Sequence, residues 1–536
     1  MVAEKNTKNV TDSNRSPAGV LVAGAVRRLR YVFTALLSAL LLAAPYHFSN
    51  TWPLAFIAFL PVLFMLRGHT ASFAFKLFFL TGFFYYALTG YWLCYVNIFG
   101  FILLALYLAL FFGFFGSFSC SFLASGRLRA SITVAALWTV LEYLRGYLLS
   151  GFPWALLGYS QWKNLPLIQI ADVVGAFGVS FFVMWVNVML FRIRAHDKVR
   201  AALILAAVLL GVWTYGFFTL RSREAFYADG LPKAKLSVAV LQGNIPQEEK
   251  WDERIKSIIF EKYKRLTLMA AMEKPDLIIW PETSFPGYLE DEAVMAAHLR
   301  GTARASGTHL LVGAPTVGDL ETVETIKFFN SAVFFTPKGE EVARYHKMHL
   351  VPFGEYVPYE RLIGFIRNFV DIGRFSPGEK QTLFSIATEH QPIRIAAKFG
   401  VLICYEDIFP GMVREACKNG ADFLVNISND AWFGKSSAPY QHAQASVFRA
   451  VENRVPVVRS TNTGLSCFIT SEGRITASVK KDGEEIMVSG RQASDVILRR
   501  GRPFFTRYGD LFFWFVLGWL IFAYRDRHKK SGYSRI

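Results

Sequence analysis

The sequence predicts a polytopic α-helical membrane bundle of about eight spans, joined to one exported α/β domain. Three observations carry that expectation. Hydrophobic residues make up 53% of the chain, aromatics 16% and charged residues only 18%, too apolar for an ordinary soluble protein. Long apolar runs are separated by short loops in which basic residues recur on alternate connections, the pattern that sets topology. Between about residues 225 and 505 the pattern changes to short strand-like runs alternating with helical stretches and turn residues. The net charge of +17 argues for no nucleic-acid partner, because the basic residues form clusters between apolar runs rather than one patch.

The spans follow in order. Residues 1–30 are polar and end in Arg27, Arg28 and Arg30, with no small-residue cleavage site after them, so the first apolar run reads as a retained anchor. Apolar segments recur at 31–48, 51–66, 72–96, 98–124, 131–150, 167–191, 201–219 and 509–524. The first two are short for a crossing of roughly 20 residues and call for tilt or help from the interface. Basic residues sit at Arg67 and Lys76, at Arg127 and Arg129, at Arg192, Arg194, Lys198 and Arg200, and in "RDRHKK" at 525–530. The intervening connections carry almost none. Both termini are therefore expected in the cytoplasm, with the long segment outside. The expected organisation is a tail and seven transmembrane helices over 1–228, an exported catalytic domain over 229–505, and an eighth helix with a basic cytoplasmic tail over 506–536.

In the exported segment, strands are expected at 236–246, 276–282, 309–315, 331–335, 395–406 and 421–428, and helices near 252–273, 290–306 and 437–453. Strands mixed with helices over this length predict one layered α/β domain. No internal repeat or low-complexity tract interrupts it.

Several strands end in reactive groups. "DLIIWPE" delivers Glu282 just after a proline, where a strand must stop. "CYED" delivers Cys404 at the end of an apolar run, and "YHKMHLVPFGEYVP" (345–358) lies between them with Lys347 and Glu355. Singly, each has an ordinary reading: a capping carboxylate, a surface ammonium, a small buried hydrophobe. His346 and His349 lack the spacing to a third metal ligand. Together the three types complement one another. A thiol attacks a carbonyl only after losing its proton, which a carboxylate can take. A neighbouring ammonium lowers the thiol pKa and then faces the oxyanion of the tetrahedral intermediate.

In this chain order, "WPET", "YHKMHLVPFGEYVP" and "CYED" resemble the motifs of the nitrilase, or carbon–nitrogen hydrolase, superfamily. With the flanking apolar bundle, "LEYLRGYLLSGFPWALLGYSQ" (141–161), "QGNIPQEEKWD" (242–252), "NISNDAWFGKS" (426–436) and "RSTNTG" (459–464), nearly the whole chain is similar to the apolipoprotein N-acyltransferase family. The resemblance implies an αββα sandwich with Glu282 as general base, Lys347 as stabiliser of the tetrahedral intermediate and Cys404 as nucleophile. It also implies supporting roles for Glu355, Tyr405, Glu406 and Asn330. A Phe precedes Asn330 where the family has Tyr. Trp251 matches a functionally required tryptophan.

The reaction so implied is acyl transfer from a phospholipid, by preference phosphatidylethanolamine, through a Cys404 thioester to the N-terminal amine of a diacylglyceryl-cysteine apolipoprotein. No cofactor or metal is expected. The enzyme would sit in the bacterial inner membrane, as a monomer, with its site at the periplasmic face. Aromatic Trp251, Phe353 and Trp432 are candidates for the wall or lid of an acyl pocket, with packing as the alternative for Trp432. Glu142 and Arg145, three apart within span five, can pair on one helix face; charges there are functional or form a structural pair near the interface. Arg449 and Glu452 read as supporting residues. Cys94 and Cys120 read as packing, and Cys417 and Cys467 leave a disulfide open. Two other readings compete: a membrane-tethered amidase acting on small C–N substrates, and a transporter or receptor, which predicts more charge along the spans than the sequence has.

Overall fold

The computed structural model describes residues 17–123, 128–195, 198–228, 234–318, 326–358, 360, 364, 373–388, 395–498 and 501–532. The amino-terminal tail 1–16, Arg127 and residue 229 at the expected domain boundary lie outside them.

Each of the eight apolar segments forms helix. The helices are α1 (Pro17–His47), a 3₁₀ turn (Ser49–Phe56) leading into α2 (Leu60–Met65), α3 (Ala71–Thr89), α4 (Ile98–Leu123) and α5 (Arg129–Tyr147). After a loop and the single turn α6 (Leu165–Ile168) come α7 (Ala171–Ala195) and α8 (Lys198–Ala228). Among the described residues five stretches are long and apolar enough to cross a membrane: 24–47, 71–89, 98–123, 171–194 and 198–225. The segment at 49–65 is a shorter apolar helix, because Pro53 and Pro61 break its hydrogen-bond ladder. α3 and α4 approach closely through small residues: a Cβ on Gly116 would lie 2.6 Å from the Ala74 carbonyl oxygen.

The loop between α5 and α6 shows what the charge pair does. Irregular backbone inside a bundle needs polar partners. Glu142 Oε1 accepts from Leu157 N at 2.7 Å, and Arg145 Nη1 donates to Trp154 O at 2.8 Å. The two side chains stand 3.8 Å apart, and Tyr46 and Tyr85 donate to the carbonyls of Leu156 and Ala155. The pair clamps this loop to the bundle. α7 is kinked at Gly175, whose φ of 67° and ψ of 179° break the helix.

The second half is built on two six-stranded sheets. The first is ordered β12-β1-β2-β3-β4-β5, from β1 (Lys235–Gln242), β2 (Leu277–Ile279), β3 (His309–Val317), β4 (Phe328–Phe335), β5 (Glu341–His346) and β12 (Gly490–Ile497). The second is ordered β11-β10-β9-β8-β7-β6, from β6 (Leu383–Ala387), β7 (Ala396–Ile403), β8 (Phe423–Ser428), β9 (Val457–Thr461), β10 (Cys467–Ile469) and β11 (Ile475–Ser478). In each sheet the three strands β1-β2-β3 or β7-β8-β9 are parallel and the rest antiparallel.

Apolar side chains of both sheets, Val238, Val240 and Ile279 against Phe399, Val401 and Val425, form a core between them. Helices α9 (Lys256–Ala271) and α10 (Ala293–Ser306) cover the outer face of the first sheet. Helices α11 (Pro410–Lys418) and α12 (Ala438–Asn453) cover the second. The layers are thus the αββα sandwich the resemblance implied. α12 is buried at every residue but Tyr440, because its other face meets the bundle. There Glu452 Oε1 accepts from Ala176 N at 2.7 Å, just past the kink, and Arg454 pairs with Asp172 at 2.7 Å. The chain then returns through α13 (Phe504–Tyr508) into α14 (Leu511–Gly532). All five cysteines are free.

Candidate active site

Glu282 follows β2 through Trp280 and Pro281, against β3. Only glycine fits at the facing position: a Cβ on Gly313 would lie 2.1 Å from the Pro281 carbonyl oxygen. The buried Glu282 carboxylate receives three donors. Oε1 accepts from Asn330 Nδ2 at 2.7 Å and Lys347 Nζ at 3.3 Å, and Oε2 accepts from Asn429 N at 2.8 Å.

Lys347 is the residue after β5, and its N–H donates to Asn330 O on β4 at 2.8 Å. That extension of the ladder sets Lys347 and Asn330 side by side. Both also reach Glu355 Oε1, at 2.9 Å each, while Glu355 Oε2 accepts from Val351 N at 2.8 Å. The lysine, the asparagine and two carboxylates make one closed cluster. Burial would push the Lys347 ammonium down, but the charges of Glu282 and Glu355 outweigh it and hold its pKa well above the ordinary lysine value.

Cys404 directly follows β7 with φ of 57°, a left-handed conformation that costs a non-glycine residue about 1–3 kcal/mol. Its carbonyl is gripped by Asn426 Nδ2 at 2.7 Å and approached by His442 Nε2 at 3.3 Å. His442 lies between Asp407 (2.9 Å) and Asp430 (3.2 Å), and Asp407 also binds Arg459 at 2.7 Å and Ser446. Burial alone would lower the His442 pKa, but the two aspartates raise it to about 9. The thiol faces the charges of Glu282, Lys347, Asp430 and Glu355. Burial pushes its pKa well above the ordinary cysteine range; Glu282 adds to that and Lys347 opposes it. At rest the sulfur is therefore a protonated thiol.

The supporting residues divide. Glu406 accepts from the N–H groups of Ile403, Met348 and His349 and from Tyr345 OH. It ties the cysteine turn to the lysine loop, and burial pushes its carboxyl up to about 7 against those donors. Tyr405 OH donates to Leu350 O at 2.7 Å. His346 binds Ser331 Oγ at 2.7 Å and stacks on Phe329, a packing role. His349 contacts Ser150 O at 3.1 Å and so fastens the lysine loop to the bundle.

Trp251, Phe353 and Trp432 are 47%, 48% and 52% exposed, each within three residues of a group in the cluster (Lys250, Glu355 and Asn429). Trp432 is thus half-exposed rather than buried in the core. Replacing Trp251 or Trp432 with alanine is expected to raise KM for a lipid substrate by about tenfold, the loss of about 1.4 kcal/mol of contact, with kcat changed less. Detergent-micelle kinetics check this.

Sequence reasoning missed Lys250, whose Nζ donates to Glu282 O at 2.9 Å, and it missed His442 and Asn426. Lys250 stands directly before a singled-out tryptophan in "QEEKWD", the one signal that could have found it. Among the described residues, no group of three or more His, Cys, Asp or Glu is arranged to hold a metal.

The αββα sandwich that carries Glu282, Lys347 and Cys404 is a carbon–nitrogen hydrolase domain: the family model "Carbon-nitrogen hydrolase" matches residues 237–500. A second, "Apolipoprotein N-acyltransferase N-terminal domain", matches 38–189. An apolipoprotein N-acyltransferase of Geobacter metallireducens is 39% identical, over 91% of this chain and 94% of that protein. Another, of Haemophilus influenzae, is 33% identical over 83% and 85%. The chain belongs to the apolipoprotein N-acyltransferase family. Among solved structures, an amidase from Nesterenkonia sp. is 19% identical with a TM-score of 0.37, covering 52% of this chain and 94% of that one.

Proposed function

We propose that this membrane enzyme moves a fatty acyl chain from a phospholipid to the N-terminal amine of diacylglyceryl-cysteine in apolipoproteins, in a ping-pong sequence. The observation that carries the reading is the buried cluster of Glu282, Lys347 and Glu355 whose charges face Cys404, in a chain of this family. Glu282 takes the thiol proton as sulfur attacks the ester carbonyl. The oxyanion forms beside the Lys347 ammonium, which the two carboxylates keep charged. The C–O bond breaks, the lysophospholipid oxygen recovers the proton from Glu282, and the acyl chain remains as a Cys404 thioester. An amine then attacks the same carbonyl, the C–S bond breaks, and an amide forms. Asn330 and Glu355 hold Lys347 in place throughout.

Eight spans, both termini in the cytoplasm and a periplasmic site follow from the charge pattern of the loops. Both substrates keep their chains in lipid, which calls for a site at the outer face of the inner membrane, reached past Trp251, Phe353 and Trp432. Phosphatidylethanolamine is the proposed donor. One chain supplies every residue of the cluster, so a monomer suffices. An amidase acting on small soluble substrates is not favoured, since it gives the bundle no task.

The test is mass spectrometry after incubation with phospholipid. An acyl mass on the Cys404 peptide, released by hydroxylamine and missing from Cys404→Ala, is the expected result. An acyl mass on another residue, or none in the wild type, overturns the scheme.

A further inference from the structure

We propose that Lys250 is the group that takes the proton from the acceptor's ammonium before the amide forms. The inference rests on the acyl-transfer reading above and assigns a step that reading leaves without a residue. An N-terminal amine has a pKa of about 7.7–8.0, so near neutrality much of it arrives as the ammonium, which has no lone pair to attack a thioester.

The site holds two buried lysines in opposite situations. Lys347 touches two carboxylates and stays charged. Lys250 is 5% exposed, and its side-chain nitrogen has a single hydrogen bond among the described residues, donated to the backbone oxygen of Glu282. An ammonium has three N–H donors, so a buried one with a single acceptor is poorly supported as a cation. The charge it faces is that of Glu282, with Cys404 adding to it only when its sulfur is ionised. Burial outweighs them and brings its pKa down to about 8, within reach of the acceptor's own value, where proton exchange between the two amines is near balance. Its position fits as well. Lys250 directly precedes the half-exposed Trp251, while its own amine is buried against the Glu282 backbone, close enough to feel the Cys404 sulfur.

The step balances. The acceptor ammonium gives one proton to the neutral Lys250 amine. The freed lone pair forms the C–N bond, sulfur leaves with the C–S electron pair, and the second amine proton passes through Glu282 to sulfur. Lys250 then releases its proton to water, which completes the cycle.

The experiment uses full-length enzyme in detergent, acylated at Cys404, and follows thioester decay with two nucleophiles: a synthetic diacylglyceryl-cysteine peptide and hydroxylamine, which is already neutral near pH 7. The readout is the ratio of the two rates within each variant. For Lys250→Met that ratio is expected to fall about 100-fold at neutral pH and to recover as pH rises past the peptide's own pKa, about 8. Lys250→Arg, which keeps a charge but does not release a proton, is expected to show the same loss. An unchanged ratio, a loss independent of pH, or rescue by arginine overturns the proposal. So does a failure of both variants to acquire the thioester, which would place Lys250 in the first half-reaction. A wild type that forms no thioester defeats the acyl-transfer reading instead, so the two failures are distinguishable.

Discussion

Glu282→Gln is expected to slow formation of the acyl-enzyme by between about 100-fold and 10,000-fold, the range for loss of a positioned general base. Two effects compose that loss. The amide does not take the thiol proton, and it is also a poor fit to its own surroundings. All three contacts of Glu282 are donors, from Asn330, Lys347 and the backbone of Asn429. An amide NH₂ must face one of them, and the lysine or the 429 backbone is displaced whichever way it turns. Removing the negative charge also relieves one of the causes that hold the thiol pKa up, so the effect stops short of that of Cys404→Ala. Rapid-quench mass spectrometry of the Cys404 peptide measures the rate. A rate within about threefold of wild type, far below the loss a general base implies, removes Glu282 from the role of base.

Lys347→Met is expected to cost both chemistry and stability. Losing one donor at an oxyanion is worth about 100- to 1,000-fold in rate. Here the charge that opposes the rise of the thiol pKa also goes, so the pH dependence of acylation moves to higher pH. The variant leaves Glu282 and Glu355 sharing the Asn330 amide with no cation between them. Breaking a buried ion pair by removing one partner costs about 3–5 kcal/mol. Thermal unfolding in detergent checks this, with a melting temperature below that of the wild type expected. A variant of wild-type stability, acylating at the wild-type pH optimum, would place the lysine outside the cluster's electrostatics.

How far the chain could be read depended on where its signals lie. The runs "DLIIWPE" and "IAAKFGVLICYE" are buried strands that stop at a proline and at a left-handed cysteine, so the ends of β2 and β7 were visible along with what they deliver. Strands β5, β6 and β9 to β12 were not, because they are short or half-exposed, and β12 also takes its register from a distant partner. β12 pairs with β1 across some 250 residues, Lys235 opposite Ile497, and nothing local announces that. The eight apolar runs were legible as runs. Five stand on length and composition, while 49–65 is shortened by its prolines, α5 is burdened by Arg129, Glu142 and Arg145, and the apolar part of α14 runs into Arg525, Asp526 and Arg527. Lys250 and His442 carry no pattern of their own. Each matters through residues far away in sequence, Glu282 for one and Asp407 for the other.

Helix α12 lies with one face on the second sheet and the other on α7, and its Glu452 closes the broken end of α7 beyond Gly175. A single helix is therefore shared property of the lipid-embedded and the water-facing halves. Cut at the boundary, the second half would display Glu452 and Arg454 together with an apolar stripe, without the Ala176, Asp172 and Gln169 groups that meet them. The halves are not interchangeable modules. The native arrangement around the thiol is a joint product of both halves.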